Sequence, residues 1–301
     1  MGPESPELPG RVHRKGIHSG SYKNTADIDG DRVLVVGVGN SGCDLAVDAA
    51  QNHFQVDVVM REGTHFQPKM YFGVPRQEVP WLADFAPDEV DLLSRLLSKV
   101  SIGEASNYPG MPSPQTRSLA EGKAVVNTLM PYWVHHGRIG IVPGIERFEG
   151  KTVHFVDGSA KEYDTILWAT GFHASLPFLD ESLIERSNGV PLRYAAGIVP
   201  KGLEKLYFIG LSAPRGPQIP VYGVQSKRAI TMIRLHEAAP NGFAGVQRYL
   251  AELQDTNDVI DIVRAVWEEQ LADTDRLLAA FGAGQVVGSA PAATESERIP
   301  V

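Results

Sequence analysis

The chain has 301 residues, 43% hydrophobic and 21% charged, enough for one large or two moderate globular cores. Twenty-eight basic against thirty-six acidic residues leave a formal net charge of -8, which argues against broad attraction to nucleic acid or anionic lipid and favours small-molecule or protein partners. The single cysteine, Cys43, excludes an internal disulfide, a CxxC redox pair and a thiolate zinc cage.

No apolar run reaches the roughly 20 residues that span a bilayer, and MGPESPELPGR lacks the apolar stretch of a secretion signal. A cytoplasmic protein with no membrane partner is therefore expected. Met1 to Gly10, rich in Pro and Glu, reads as a lead-in rather than a strand or helix. From Arg32 the pattern changes. Val33 to Val36 is a continuous apolar run suited to a buried parallel strand, Ser41 to Gln51 reads as a helix, and Val56 to Met60 as the next strand. Phe66 to Phe85 reads mostly as loop. Pro87-Asp88-Glu89 opens a helix in which Val90, Leu93, Leu96, Leu97 and Val100 share a face that must pack against something.

Farther on, Val153 and Phe155 ahead of Asp157-Gly158 read as one arm of a hairpin. Thr165 to Trp168 is a buried strand closed by Ala169-Thr170-Gly171. Leu206 to Ile209 is expected to be a strand stopping at Gly210, followed by a helix from Gln225 to His236. Val259, Ile262, Val263, Val266, Trp267 and Leu271 mark a last helix ending near Phe281, and the tail from Gly282 is expected to be disordered.

Gly37-Val38-Gly39-Asn40-Ser41-Gly42 has the spacing G-x-G-x-x-G, which alone is weak evidence in a chain with thirty glycines. Its setting gives it weight, because it follows an apolar strand and opens a helix. There the first glycine permits the tight turn, the second admits a pyrophosphate close to backbone, and the third lets helix meet strand. Unpartnered N–H groups at the helix start, with its positive dipole end, then suit phosphates. An ordinary tight strand-to-helix turn is the competing reading. At the end of the second strand, where an acid would bind the ribose of NAD, stands Arg61, which suits the ribose phosphate of NADP(H), with Lys69 a more distant helper. Glu62 beside it argues for NAD. His135-His136 point apart on a helix or strand, and no metal is expected. Cys43 lies in the first turn of the cofactor helix. An exposed thiolate would be favoured there, whereas tight packing would make it a small filler.

These residues carry a family resemblance. Ile17-His18-Ser19 with Tyr22, the run RVLVVGVGNSGCDLAVDAA (Arg32 to Ala50), Gly137-Arg138-Ile139, Tyr163 to Phe172 and Pro177-Phe178-Leu179 together resemble the flavin-containing monooxygenases and their Baeyer–Villiger relatives. The family fingerprint F-x-G-x-x-x-H-x-x-x-(F/Y) is met by His18 and Tyr22, while Val12 and Arg14 stand where Phe and Gly belong.

The resemblance implies an α/β fold, with a Rossmann-like NADPH domain inserted in a second dinucleotide (FAD) domain. On that division residues 1–30 lead in from the FAD domain, 31–168 bind NADP, 169–281 form the C-terminal part of the FAD domain with terminal helices, and 282–301 are a tail. The cofactor residues it implies are Gly37, Gly39, Asn40, Ser41, Gly42, Arg61, Ala169, Thr170, Gly171, Gly210 and Gln225. Gly171 would be a crossing point, Gly210 would approach the flavin, and a helix starting near Gln225 would aim at its ring. The implied reaction moves one oxygen atom of O2 to an amine, sulfide or ketone through a C4a-hydroperoxyflavin, using NADP(H) and FAD, and no catalytic side chain is assigned. The family's first G-x-G-x-x-G, for FAD, has no counterpart here. A fragment or early-start error, a second chain completing the FAD domain, and a shortened NADPH-binding module without monooxygenase activity are the alternatives. A pyridine nucleotide–disulfide oxidoreductase shares the paired domains but needs a second cysteine.

Overall fold

The computed structural model describes residues 2–3, 10–12, 15–76, 78–119, 124–214, 216, 218–238 and 248–282. Two compact units divide the chain, Gly2–Phe172 and His173–Val301.

In the first unit the chain runs through strands β1 (Gly10–Val12), β2 (Lys15–His18) and β3 (Arg32–Val36), helix α1 (Asn40–Gln51), strand β4 (Gln55–Val59), and helices α2 (Pro87–Ser101) and α3 (Leu129–His135). Strands β5 (Ile139–Val142), β6 (Ile145–Gly150), β7 (Thr152–Phe155), β8 (Ala160–Glu162) and β9 (Thr165–Trp168) follow. A five-stranded parallel sheet has the order β5-β4-β3-β9-β2, with Val36 opposite both Val59 and Trp168. A second sheet, β8-β7-β6-β1, contains the expected hairpin of β7 and β8.

Two-sided burial explains the unbroken apolar run in β3. Val33 and Val35 pack with Cys43, Ala46 and Ala50 of α1, while Leu34 packs on the other face with Phe148, Val153 and Phe155. The start of the sheet is pinned by Asp164, which accepts hydrogen bonds from the Arg32 backbone and guanidinium and from the Lys151 ammonium. Arg32 first, then Lys151, hold its carboxyl well below the usual carboxylate range.

The second unit joins helices α4 (Gln218–Ala238) and α5 (Arg264–Gly282). Ala229 and Met232 meet Leu277 and Leu278 in a core that includes Ala195, Ile198 and Leu250. Among the described residues no helix is long and apolar enough to cross a membrane.

Several elements differ from expectation. Within the lead-in, Lys15–His18 is a strand that the sequence pattern does not signal, the edge of the parallel sheet paired residue for residue with β9, and Gly10–Val12 pairs with β6. Gly2–Pro3 is also a short strand, while residues 1 and 4–9, like the tail from 283, lie outside the described residues. Leu206 to Gly210 forms no strand. A strand needs a ladder, and this segment makes a single such bond among the described residues, from the Phe208 N–H to the Ile198 carbonyl.

Helix α4 starts at Gln218, seven residues before Gln225, because Pro220 lies in its first turn, where a missing N–H costs nothing. Gly223 is carried in its interior despite a cost near 1 kcal/mol. Helix α5 starts at Arg264, since Val259 and Ile262 serve an extended segment in which Asp261–Ile262 pairs with Ala213–Pro214. On α2, Val90, Leu93 and Leu97 are half-buried, but Leu96 and Val100 are exposed rather than part of the packed face.

Candidate functional site

Strand order reverses between β3 and β9, since the chain passes outward through β4 and β5 before returning to the other side of β3. At such a switch point the crevice beyond the strand ends is open to a ligand. The glycine turn leaves β3 there, and Ala169-Thr170-Gly171 leaves β9, tied by the Ala169 N–H to the Val36 carbonyl at 2.9 Å.

The three glycines answer different demands. Gly37 has φ +112, and a Cβ on it would lie 2.4 Å from the Ala169 carbonyl oxygen. A Cβ on Gly42 would lie 2.0 Å from the Gly37 carbonyl oxygen and 3.2 Å from the Ala169 Cβ. Both are glycine because the chain itself leaves no room. Gly39 is not: it is exposed, has the extended backbone of an N-cap, and a Cβ there would meet nothing within 4 Å. No side chain caps α1, and its first turn carries no acid. The orphan N–H groups of Asn40, Ser41 and Gly42 at this helix start are the anion-binding kind. This open cradle fits a diphosphate.

Arg61 lies two residues beyond Val59, the partner of Val36 across the sheet, so it leaves the same edge as the glycine turn. Its stem crosses Gly144, where a Cβ would sit 3.4 Å from Arg61 Cγ. Its guanidinium has no ion-pair partner among the described residues. Lys69 is exposed beside the short Met70–Tyr71 and Val74–Pro75 hairpin, and Glu62 is exposed too. The Asn40 side chain has a structural task, accepting from the Val126 N–H at 2.9 Å. Next to it, buried Asn127 donates to Asp44 and accepts from the Met130 N–H. Sequence reading passed over Asn127, although Asn ahead of an apolar turn with Pro131 is a helix-start signal.

Gly171, at φ +99, is gripped from β2. The His18 Nε2–H donates to the Gly171 carbonyl at 3.0 Å and its Nδ1 accepts from the Gly20 N–H at 3.1 Å, an arrangement that specifies the neutral Nε2–H tautomer. Phe172 stands edge-on to the same ring at 4.9 Å. The Tyr22 hydroxyl donates to Asp48 of α1 at 2.6 Å, and burial together with that carboxylate pushes the phenol up.

In the second unit, Gly210 has φ +87 and its N–H donates to Gln225 Oε1 at 2.9 Å. Gln225 is fully buried, and its Nε2 donates to the Ser212 carbonyl at 3.2 Å and the Ala196 carbonyl at 3.5 Å. Trp267 Nε1 also donates to the Ala196 carbonyl. The side-chain amide of Gln225 is therefore a clamp on Gly210, and the positive end of α4 lies at Gln218. Ala195, Ala196 and Gly197 are all left-handed, a conformation costly for alanine.

A sequence profile of flavin-binding monooxygenase-like proteins matches residues 6–264. The chain belongs to this family. The indole-3-pyruvate monooxygenase YUCCA4 of Oryza sativa subsp. japonica is 30% identical over 224 residues, 70% of this chain and 49% of that one. Flavin-containing monooxygenase 3 of Homo sapiens is 30% identical over 239 residues, 75% and 44% of the two chains. The chain thus spans about half the length of the curated relatives it matches. Among solved structures, the oxidized steroid monooxygenase bound to NADP superposes with a TM-score of 0.60 at 15% identity, over 94% of this chain and 72% of that one. The closed form of cyclohexanone monooxygenase gives 0.59 at 14% identity, over 94% and 72%. These two share the fold.

Within the family match, two further candidates resolve into packing roles. Cys43 is fully buried, its Sγ 3.1 Å from Met130 Sδ, and burial pushes its thiol up to about 12, so it is a filler. His136 lies against the ring of Tyr132 at 4.2 Å and His135 meets Tyr108 edge-on. Among the described residues no group of His, Cys, Asp or Glu could hold a metal ion.

Proposed function

We propose that this chain carries the NADPH site, and the C-terminal part of the flavin site, of an NADPH- and FAD-dependent monooxygenase that transfers one atom of O2 to an amine, a sulfide or a ketone. The observation that carries the reading is Gly39, a glycine the fold does not need, at an uncapped helix start on the switch point of a parallel sheet. Gly37 and Gly42 shape the turn, and the N–H groups of Asn40, Ser41 and Gly42 hold the diphosphate. Arg61 grips the ribose phosphate with charge-assisted hydrogen bonds worth roughly 1.5–3 kcal/mol each. Residues 31–168 act as the NADP domain, and Ala169-Thr170-Gly171 returns the chain to the flavin side, where residues 169–281 contribute. There Gln225 fixes Gly210 so that backbone, without a side chain, faces the cofactor. When bound, NADPH supplies hydride and FAD carries the oxygen chemistry. The remainder of the flavin site is placed on polypeptide outside this sequence, in a second chain or the same one, which accords with the half-length match to relatives.

Calorimetric titration tests the cofactor assignment. NADPH is expected to bind more tightly than NADH, and Arg61→Ala to erase that preference by about tenfold or more. Equal affinities in the wild type, unchanged in the variant, would refute it. The enzyme assignment is tested by expression with FAD. A yellow protein that oxidises NADPH and consumes oxygen supports it, and colourless protein that still binds NADPH supports a nucleotide-binding module instead.

A further inference from the structure

Among the described residues the outer face of α2 has no partner. Leu92, Leu96 and Val100 are 49%, 51% and 87% exposed, a stripe of residues four apart that flanks the row of half-buried Val90, Leu93 and Leu97, with buried Ser98 on the side of the helix turned inward. Three exposed apolar side chains in one row on a 15-residue helix signal an interface rather than scattered surface residues.

The row is palindromic. Glu89, Leu92, Leu96 and Lys99 are spaced by three, four and three residues, so they form one continuous line that reads the same from either end. Two copies of such a helix laid antiparallel, with a two-fold axis at the level of Ser94, set Leu92 against the partner's Leu96 and Glu89 against the partner's Lys99. Each contact occurs twice, as an isologous interface requires. The helix dipoles are then opposed, which is also favourable. Glu89 accepts from the Ala86 N–H through one carboxylate oxygen, and Lys99 pairs with Glu104 at 2.6 Å, so the added contact extends existing pairs.

The ends of the helix match as well. Phe85, 43% exposed, precedes α2 as far from Ser94 as Gly103 follows it. At that far end lies a groove of about 470 Å³ whose lining includes Ile102, Tyr108, Leu129, Tyr132 and His135. Antiparallel docking brings each Phe85 to the level of the other copy's groove. A 15-residue helix offers about 22 Å of seam. The two groove contacts extend it toward the ~1,200 Å² at which specific interfaces begin.

We propose that this face receives a second copy of the same chain, antiparallel across α2. The net charge of -8 and the acids Asp88 and Glu89 at the helix start disfavour an anionic lipid surface as the occupant. Sedimentation velocity on the full chain, from micromolar to submillimolar concentration, tests it. The wild type is expected to show a reversible monomer–dimer equilibrium. Leu96→Glu, at a half-exposed position that leaves thermal melting unchanged, is expected to sediment as monomer. Lys99→Glu is expected to weaken the dimer about tenfold, and Glu89→Lys combined with Lys99→Glu to restore it, since each reversed charge meets its reversed partner. A wild type that is monomeric throughout, a dimer that survives Leu96→Glu, or a double reversal no better than Lys99→Glu alone overturns the proposal.

Discussion

Two glycines at two chain junctions look alike in sequence and differ in what requires them. Gly210 sits at a left-handed φ, has its N–H taken by Gln225, and presses on Tyr222, where a Cβ would come within 3.3 Å. Gly39 has an extended backbone and empty space around it. The first is explained by the protein alone; the second is not required by any neighbour among the described residues, and the proposed diphosphate would give it a use. A glycine conserves room either for its own chain or for something else, and the Cβ test separates the two cases.

Substitution can break or sharpen that contrast. The largest effect is expected at Gly37, where alanine combines a left-handed φ with a clash on the Ala169 carbonyl. Gly37→Ala should lose at least about 3 kcal/mol in urea unfolding. Gln225→Leu comes next, because it strands the part-buried Gly210 N–H and the Ser212 carbonyl, while the Ala196 carbonyl keeps Trp267, and a loss of about 2 kcal/mol is expected in the same measurement. The smallest stability change belongs to Gly39→Ser. Serine is a better N-cap than glycine, so stability should rise by a few tenths of a kcal/mol, while its side chain fills the cradle and NADPH affinity falls about tenfold. A drop in stability at Gly39, or unchanged affinity, would show that its openness has no bearing on a ligand.

Acid titration gives a further check, on the opposite end of the sheet. Asp164 has its carboxyl held low in the folded chain, so its contribution is complete above the ordinary carboxylate range and is lost as pH falls toward the folded value. Asp164→Asn should lower stability near neutrality and flatten the fall between about pH 5 and pH 2.

The parts legible in sequence were those whose cause is local. Strand β3, the glycine turn, α1 and β4 follow one another directly, and each residue type there is explained by its neighbours. The hairpin at Asp157-Gly158 was readable for the same reason. Lys15–His18 was not, because its place in the sheet is conferred by Thr165–Trp168, about 150 residues away. The start of α4 was hidden by Pro220 and Gly223, which signal a loop locally but are harmless in a first turn or where packing compensates. The clamp of Gln225 on Gly210 and the support of Gly171 by His18 depend on pairings that spacing does not reveal.

The burial of Cys43 turns the protein's one thiol into a clock. With its sulfur sealed in the core beneath α1's inner face and its proton tightly held, a disulfide-forming dye can react only during moments when the packing around α1 opens. The rate of colour development then counts those openings, and any molecule that seats itself on the mouth of the helix should slow the count in proportion to how firmly it is held.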